Sequence, residues 1–195
     1  MKLHITILGL FLLASPFLLA SPAPAGTYHV HPAGSNATGD GSSGNPWATI
    51  RHATDVVPDD GSTIVLADGV YTGTQSIVRA FANEVTIRAQ TPYRAVLRSS
   101  AAQHRVLWIA GAARVTLRDL EMEGAPGASG DYLVQITAGQ THDVVLENNV
   151  IHDSYDNDLV KVNDGAHQVT LRGNLFYNMP GAGTSISTST PSTTW

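Results

Sequence analysis

The chain contains no cysteine, which excludes disulfide bonds, thiolate metal sites and a cysteine nucleophile. Charged residues are also scarce, at 14% of the 195 residues, and this argues against a long helical or coiled-coil protein. The formal net charge is −5 and there is no run of Lys or Arg, so nucleic acid is not an expected partner. What remains is a mostly apolar chain, with 43% hydrophobic residues, long enough for one domain with a packed core.

Only the N-terminus carries a long apolar stretch, over residues 5–20. An A-x-A pattern at residues 23–25 follows it, as at a signal-peptide cleavage site. We therefore predict a signal peptide over residues 1–25 and a secreted protein, either extracellular or periplasmic. A membrane-anchor helix is the alternative, which the proline-rich exit disfavours. No later segment is apolar for long enough to span a bilayer, so we expect no membrane association after cleavage.

The informative pattern is an internal repeat of short, β-branched segments. VTIR, VTLR, VVLE and VTLR begin at Val85, Val115, Val144 and Val169, roughly 25–30 residues apart. Each segment has strand character, and no amphipathic helix separates one from the next. The missing helices argue against βαβ units. A propeller blade needs four strands in about 40–45 residues, which does not fit repeats of this length.

A second series of strand-like segments interleaves with the first, at residues 106–109, 133–136 and 159–162. Each repeat therefore holds at least two short strands, and stacked repeats would pair each strand with its equivalent in the next coil, about 4.8 Å away. We predict an all-β fold, a right-handed single-stranded parallel β-helix (a solenoid), over residues 26–183.

Two pairs of polar residues recur at equivalent positions of neighbouring repeats. Asn149 and Asn174 each lie five residues after a repeat valine, and His142 and His167 each lie two residues before one. Stacked asparagines can form a hydrogen-bonded ladder at a turn. We interpret both pairs as structural.

The N-terminal part of the predicted domain follows a different pattern. Ile50, Ala53 and Val57 have helical spacing, which predicts a short helix within residues 47–57 that caps the open end of the solenoid, with the cap over about residues 45–58. Residues 63–66 are then predicted as the first strand.

Several short motifs carry a family resemblance: YHVHP at residues 28–32, GDG at 39–41, NPWATI at 45–50 and GVYT at 69–72. They resemble the opening of secreted bacterial right-handed β-helix proteins of the pectate lyase-like superfamily, which includes pectate, alginate and chondroitin lyases. The resemblance implies this fold and export, together with a calcium-dependent polysaccharide lyase that uses a lysine or arginine as base. One such fold hosts several functions, so the reaction needs separate evidence.

Chemically active side chains are concentrated around Lys161, which is the only lysine left after removal of the signal peptide. In the segment LVKV, alternation directs Val160 and Val162 inward and Lys161 outward. By repeat position, Gln135 and Trp108 lie on the two preceding coils. The three outward side chains would form a line that suits a sugar chain running along the solenoid axis, so we predict Trp108 and Gln135 as substrate-binding residues.

Acidic residues surround this lysine, and they suggest a metal. The candidate calcium ligands are Asp153, Asp156, Asp158 and Asp164. β-Elimination from a uronic acid requires neutralisation of the carboxylate, which calcium achieves, and a base, for which Lys161 is the candidate. In the chondroitin and alginate lyase type, two acidic ligands one residue apart precede the lysine strand. Asp156 and Asp158 resemble that pair, although the ligands there are glutamates and the lysine lies further along the strand.

Other interpretations of the same residues remain open. The aspartates could be turn residues, and Lys161 an ordinary surface lysine paired with one of them. At the level of function, the expected activity is a calcium-assisted lyase acting as a monomer on an acidic polysaccharide. The alternatives are a non-catalytic glycan-binding or surface β-helix protein, and a glycoside hydrolase that uses a cluster of carboxylates.

The C-terminal segment differs in composition from the repeats. Residues 184–195 are rich in Ser and Thr and lack the strand pattern, which predicts a low-complexity tail. Reading GC-rich codons for this segment one base out of frame gives, as one permitted result, a further strand-like repeat. The tail is therefore a candidate frameshift product of a chain that continues into more coils.

Overall fold

The computed structural model describes residues 25–127, 132–155, 157–179, 186–188 and 193–194. Within them the chain forms seventeen short strands and a single helix. None of the helical structure in these residues is long and apolar enough to cross a membrane. The predicted signal peptide lies almost wholly outside the described residues, as does most of the C-terminal tail.

The strands form three sheets, which the chain visits in rotation. Sheet 1 contains β1 (Thr27–Val30), β2 (Thr63–Leu66), β5 (Ala80–Ala89), β8 (Ala113–Arg118), β11 (His142–Glu147), β14 (His167–Arg172) and β17 (Thr193–Thr194). Sheet 2 contains β3 (Gly69–Thr72), β6 (Ala95–Arg98), β9 (Glu121–Glu123), β12 (Val150–His152) and β15 (Leu175–Tyr177). Sheet 3 contains β4 (Gln75–Ile77), β7 (Leu107–Ala110), β10 (Val134–Thr137), β13 (Val160–Val162) and β16 (Ile186–Thr188).

All pairing between these strands is parallel, and each strand pairs with its equivalent in the next coil. In sheet 1, Val85 pairs with Val115, Val115 with Val144, and Val144 with Val169. The four repeat valines thus stack in a single column, as the sequence predicted. The fold is a parallel β-helix, and both the βαβ and propeller alternatives are excluded.

Alternation along the strands fills the interior with aliphatic side chains. In β11, Val144 and Leu146 are fully buried, whereas Val145 between them is half-exposed. The same inward positions of β8 hold Val115 and Leu117, which are also fully buried. Because equivalent inward residues stack from coil to coil, the buried side chains join into one continuous core.

The corner between sheet 1 and sheet 2 needs a left-handed backbone. The residues that directly follow β8, β11 and β14 are Asp119, Asn148 and Gly173, with φ of 62°, 52° and 64°. Asp, Asn and Gly tolerate this region better than other residues do. A Cβ added to Gly173 would lie 2.3 Å from the Asn148 Oδ1 of the preceding coil, so the Asn148 side chain would have to move to admit it.

Both predicted stacks of polar residues are present. Asn174 Oδ1 accepts hydrogen bonds from the backbone N and the Nδ2 of Asn149. The rings of His142 and His167 stack with centroids 5.5 Å apart and an interplanar angle of 24°. His142 and His167 occupy equivalent positions of β11 and β14, and Asn149 and Asn174 occupy equivalent positions of the corners that follow these two strands. Both pairs therefore connect neighbouring coils.

The N-terminal region differs in detail from the prediction. The helix α1 covers Ile50–Val56, and it begins where Thr49 accepts a hydrogen bond from His52 N. Ile50 and Ala53 are buried within the core, as their spacing indicated. The prediction that residues 63–66 form the first strand is wrong, because β1 (Thr27–Val30) comes earlier and pairs with them at the edge of sheet 1.

The expected absence of strands after residue 183 is also corrected. Ile186–Thr188 pairs with β13, and Thr193–Thr194 pairs with β14, so both continue existing sheets. Ile186 packs partly buried against the core. Isoleucine and threonine are β-branched and suit a pleated strand, which explains how a Ser/Thr-rich segment extends the stack.

Candidate functional site

One face of sheet 3 carries the predicted line of Trp108, Gln135 and Lys161. Gln135 pairs with Trp108 on one side and with Lys161 on the other, so the three occupy a single column on β7, β10 and β13. Val160 and Val162, the neighbours of Lys161, are fully buried. All three column residues are half-exposed, and they point away from the core. We call this set the sheet 3 column.

Two contacts define the chemistry of the sheet 3 column. Gln135 Nε2 donates to Asn163 Oδ1 over 3.1 Å, which orients the amide across the strand. The Nζ of Lys161 lies 5.4 Å from the ring centre of Tyr132, within the range of a cation–π contact. Among the described residues, Lys161 forms no ion pair with a carboxylate. Its ammonium therefore faces an aromatic ring, in a position to meet an anionic ligand.

Two of the predicted calcium ligands, Asp153 and Asp158, accept hydrogen bonds from within the chain. Asp153 follows β12, and its carboxylate accepts hydrogen bonds from His152 Nδ1, at 2.8 Å, and from Asn178. Asp158 lies in the loop before β13, is 8% exposed, and accepts a hydrogen bond from the hydroxyl of Ser187. Each carboxylate thus already has donors from its own surroundings.

The other two predicted calcium ligands are Asp164 and Asp156, and only the first lies within the described residues. Asp164 lies in the turn after β13, where its Oδ2 accepts from Thr137 Oγ1 at 2.9 Å and from Asn163 Nδ2 at 3.0 Å. Asp156 lies outside the described residues. The described aspartates do not come together as a common ligand set. The prediction of a calcium site on these residues stays a prediction.

A different group of ligand-type side chains lies on the outer face of sheet 2. One ligand atom each from Glu121, Glu123 and His152 all lie within 4.8 Å of one another. In the described part of the chain, this is the only group of three or more His, Asp or Glu residues that close together. We call it the sheet 2 cluster. His152 is 4% exposed, and its Nε2 lies 3.1 Å from Glu121 Oε1.

The surroundings of the sheet 2 cluster fix the histidine and concentrate negative charge. The rings of His152 and Tyr177 stack with centroids 4.6 Å apart and an interplanar angle of 5°. Partial burial raises the pKa of the Tyr177 phenol, and the charges of Glu121, Asp153 and Glu123 raise it further. Arg98, on the coil before, bonds Glu123 and supplies one compensating positive charge.

Sequence reasoning did not find the sheet 2 cluster. The signal was present, because Glu121 and Glu123 are two residues apart and must share one face of a strand. His152 pairs with Glu123 in the adjacent coil. Recognising the group requires β9 and β12 to be identified as strands, and each has only three residues.

The fold is shared with solved structures of carbohydrate-active enzymes, although no family model and no curated protein sequence matches the chain. GH136 lacto-N-biosidase from Eubacterium ramulus superposes with a TM-score of 0.59 at 13% identity, covering 82% of this chain and 42% of that one. Pectate lyase Pel9A gives 0.54 at 15% identity, covering 83% and 52%. A rhamnogalacturonan lyase gives 0.53 at 12% identity, covering 83% and 54%.

Identities this low establish the fold alone. This chain has the parallel β-helix architecture of these lyases and of the biosidase, and it spans about half the length of each of them.

Proposed function

We propose that the chain binds an acidic polysaccharide along the sheet 3 column and cleaves it by β-elimination, with Lys161 as the base. The observation that carries this proposal is the register of Trp108, Gln135 and Lys161, which places an aromatic ring, an amide and a cation in one line across three coils. The similarity in fold to pectate lyase Pel9A and to a rhamnogalacturonan lyase supports it.

The sheet 3 column suits an extended, anionic ligand. Equivalent residues on adjacent parallel strands lie about 4.8 Å apart, so the three side chains extend over about 10 Å along the solenoid axis. The half-exposed indole of Trp108 offers an apolar face for a sugar ring. Among the described residues the Gln135 amide donates one of its two N–H groups to Asn163, which leaves the second for a sugar oxygen. Lys161 lies at the end of the line, where it would face the sugar carbon that the proposed reaction deprotonates.

The proposed reaction uses the same lysine as a proton acceptor. An unprotonated Lys161 amine removes the proton from the sugar carbon next to the carboxylate. The electron pair of that C–H bond forms a carbon–carbon double bond, and the bond to the glycosidic oxygen breaks. The leaving oxygen takes a proton from water. The uronate carboxylate must also be neutralised for this proton to be acidic, and Ca²⁺ would supply that chemistry; because the described aspartates form no common ligand set, we name no residue as its ligand.

We also propose that the chain acts outside the cytoplasm as a monomer. Residues 1–25 have the composition of a signal peptide, and an acidic polysaccharide is an extracellular substrate. Size-exclusion chromatography of the mature protein, and N-terminal sequencing of the protein from a secreting host, test the two parts separately.

The test of the enzymatic proposal is product formation from polyuronates. The full chain is incubated with pectate, alginate and chondroitin sulfate, and the unsaturated product is followed by ultraviolet absorbance. Lys161→Ala should abolish turnover while affinity electrophoresis shows glycan retention reduced only in part. Arg51→Ala, which alters an exposed cation on α1, is the matched control and should change neither reading.

The outcomes separate the candidate functions. Full activity in Lys161→Ala would overturn the assignment of the base. Retention of glycan by the parent chain with no unsaturated product from any substrate would establish a binding module instead of a lyase. Cleavage without a double bond would point to a hydrolase. Repeating the assay after chelation and after return of calcium tests the predicted metal dependence.

A further inference from the structure

We propose that the sheet 2 cluster is a binding site for a divalent transition metal, with Zn²⁺ as the representative ion, which would link β9 to β12. The ligands are the carboxylates of Glu121 and Glu123 and the Nε2 of His152. This site lies on a different sheet from the sheet 3 column. The proposal is therefore independent of the proposed lyase activity.

The first argument is the geometry of the three ligands. Bonds from zinc to imidazole nitrogen and carboxylate oxygen are about 2.0–2.2 Å, so ligand atoms around a tetrahedral ion lie about 3.4 Å apart. The ligand atoms of the sheet 2 cluster already lie within 4.8 Å of one another. Rotation of the glutamate side chains, which are 27% and 16% exposed, can close the difference without moving the strands.

The second argument is the orientation of the histidine. Asp153 Oδ2 lies 2.8 Å from His152 Nδ1, and Glu121 Oε1 lies 3.1 Å from Nε2 on the other side of the ring. When Nδ1 donates its proton to Asp153, the lone pair of Nε2 is available to a metal ion held between it and Glu121. A carboxylate that accepts from the second ring nitrogen is the arrangement that supports metal-bound imidazoles in proteins.

The third argument is that the ring is held in place before an ion arrives. The His152 side chain is 6% exposed and stacks on Tyr177. Asn178 bonds the other oxygen of Asp153, so the supporting carboxylate is itself oriented. A ligand that does not need to be ordered on binding loses less entropy, which favours affinity.

The ligand chemistry selects the kind of ion. One imidazole with two carboxylates suits Zn²⁺, Ni²⁺ or Mn²⁺ better than Ca²⁺, which prefers six to eight oxygen ligands. Arg98 opposes the ion, because its guanidinium bonds Glu123 and would have to yield that oxygen. Arg98 therefore competes with the ion for the Glu123 carboxylate, and its removal should tighten metal binding.

Isothermal titration calorimetry of the chelator-treated full chain with ZnCl₂ tests the proposal. We expect saturable binding of one ion. Asp153→Asn keeps a residue that tolerates the φ of 60° at this position, and it should weaken binding roughly 10- to 100-fold. Glu121→Gln, which preserves side-chain size, should weaken it by at least as much. Cobalt(II) in place of zinc should give the visible absorption of a tetrahedral complex.

The matched control is a second histidine–aspartate pair on the same molecule. Asp143 also has a left-handed backbone, with φ of 52°, and bonds Nδ1 of its neighbour His142 at 2.9 Å. Asp143→Asn should leave zinc affinity unchanged. Arg98→Gln should raise the affinity several-fold, a direction that a purely structural role for this arginine would not give.

Three results would overturn the proposal. These are no saturable binding by the folded parent chain, unchanged affinity in both Asp153→Asn and Glu121→Gln, or binding that is lost instead in Asp143→Asn or His167→Ala. The last result would place the ion at the stacked histidines of sheet 1. Circular dichroism of each variant shows whether the fold is intact, and Glu121→Gln and Asp153→Asn are chosen because neither removes a buried apolar group.

Discussion

Asn174 Oδ1 lies 2.9 Å from the backbone N and 3.1 Å from the Nδ2 of Asn149, so one side-chain oxygen ties together two coils of the solenoid. Asn149 passes the link on, because its Oδ1 accepts from Leu120 N at 3.0 Å and its Nδ2 donates to Leu117 O at 3.1 Å. The residue is 1% exposed. Its side chain therefore satisfies backbone groups of the preceding coil, and its own backbone N–H is satisfied by Asn174 of the next coil.

Asn149→Ala should lower the free energy of unfolding by about 2–4 kcal/mol, because it leaves buried backbone donors and acceptors without partners. Urea denaturation followed by circular dichroism measures this change. Asn83→Ala is the control, since Asn83 is exposed and its side chain makes one bond, to Asp59 O. An equal effect of the two substitutions would contradict the role of the ladder.

The alternation along β11 predicts opposite responses of two adjacent residues. Leu146 is fully buried, and Leu146→Ala should cost about 2–5 kcal/mol through lost burial and the cavity left behind. Val145 is half-exposed on the same strand, and Val145→Ala should cost about 1 kcal/mol or less. Thermal and urea unfolding of the pair checks the register directly, and a larger loss for Val145→Ala would show that the strand faces the other way.

Tyr71 predicts a loss of stability in alkali. It is 3% exposed, its hydroxyl donates toward Val30 O and Ala67 O, and burial raises the pKa of the phenol above its ordinary value of 10.0. The folded state therefore resists ionisation. Its stability relative to the unfolded chain is fully present below pH 10 and falls as the pH rises beyond it.

Tyr71→Phe removes the titrating group and should be less stable than the parent chain at pH 7, by about 1 kcal/mol, through its lost hydrogen bonds. The difference should narrow as the pH rises above 10. Urea midpoints of both proteins from pH 7 to 11 measure it, and a constant difference over this range would contradict the assignment.

Asp59 predicts the corresponding effect in acid. Its carboxylate accepts backbone hydrogen bonds from Ala82 and Asn83, which hold its pKa below the ordinary value of 3.8. The contribution to stability is present above pH 3.8 and is lost as the pH falls through the lower pKa of the folded state. Asp59→Asn should therefore flatten acid unfolding below pH 4, followed by circular dichroism, and an unchanged acid transition would contradict the role of this carboxylate.

Trp108 predicts a selective loss of glycan affinity. Trp108→Ala removes the aromatic surface of the sheet 3 column and should weaken polyuronate retention in affinity electrophoresis about tenfold, with little change in stability. Trp108→Phe should restore part of the affinity. Tyr93→Ala, at another exposed aromatic residue, is the control. Equal retention by Trp108→Ala and the parent chain would remove the indole from the binding surface.

Sheets 1 and 3 could be predicted from the sequence because buried aliphatic residues alternate visibly with outward residues along their strands. The strands of sheet 1 have up to ten residues, and β8, β11 and β14 each bury at least two aliphatic side chains at alternate positions. A recurring pair such as Val144 and Leu146 is visible by eye. The sheet 3 column followed from the same alternation, since fixing Val160 and Val162 inside also fixes Lys161 outside.

Neither sheet 2 nor the sheet 2 cluster was predicted from the sequence. A three-residue strand such as β9 or β12 buries only one or two side chains, and a single Met122 carries no detectable period. Pairing to the neighbouring coils, and not local composition, makes these residues strands. The calcium ligands expected around Lys161 stay a prediction, and among the described residues Asp153 follows β12, Asp158 precedes β13 and Asp164 follows it.

The connections from sheet 2 to sheet 3 differ in length, although the strands within each sheet all pair in parallel. Two residues separate β3 from β4, seven separate β12 from β13, and ten separate β9 from β10. The corner from sheet 1 to sheet 2 has two residues after β2, β8, β11 and β14 alike. Length variation is thus concentrated at the edge between the two candidate surfaces, where a segment can be lengthened or exchanged without altering which side chains stack. That edge is the natural place to graft new specificity onto this scaffold.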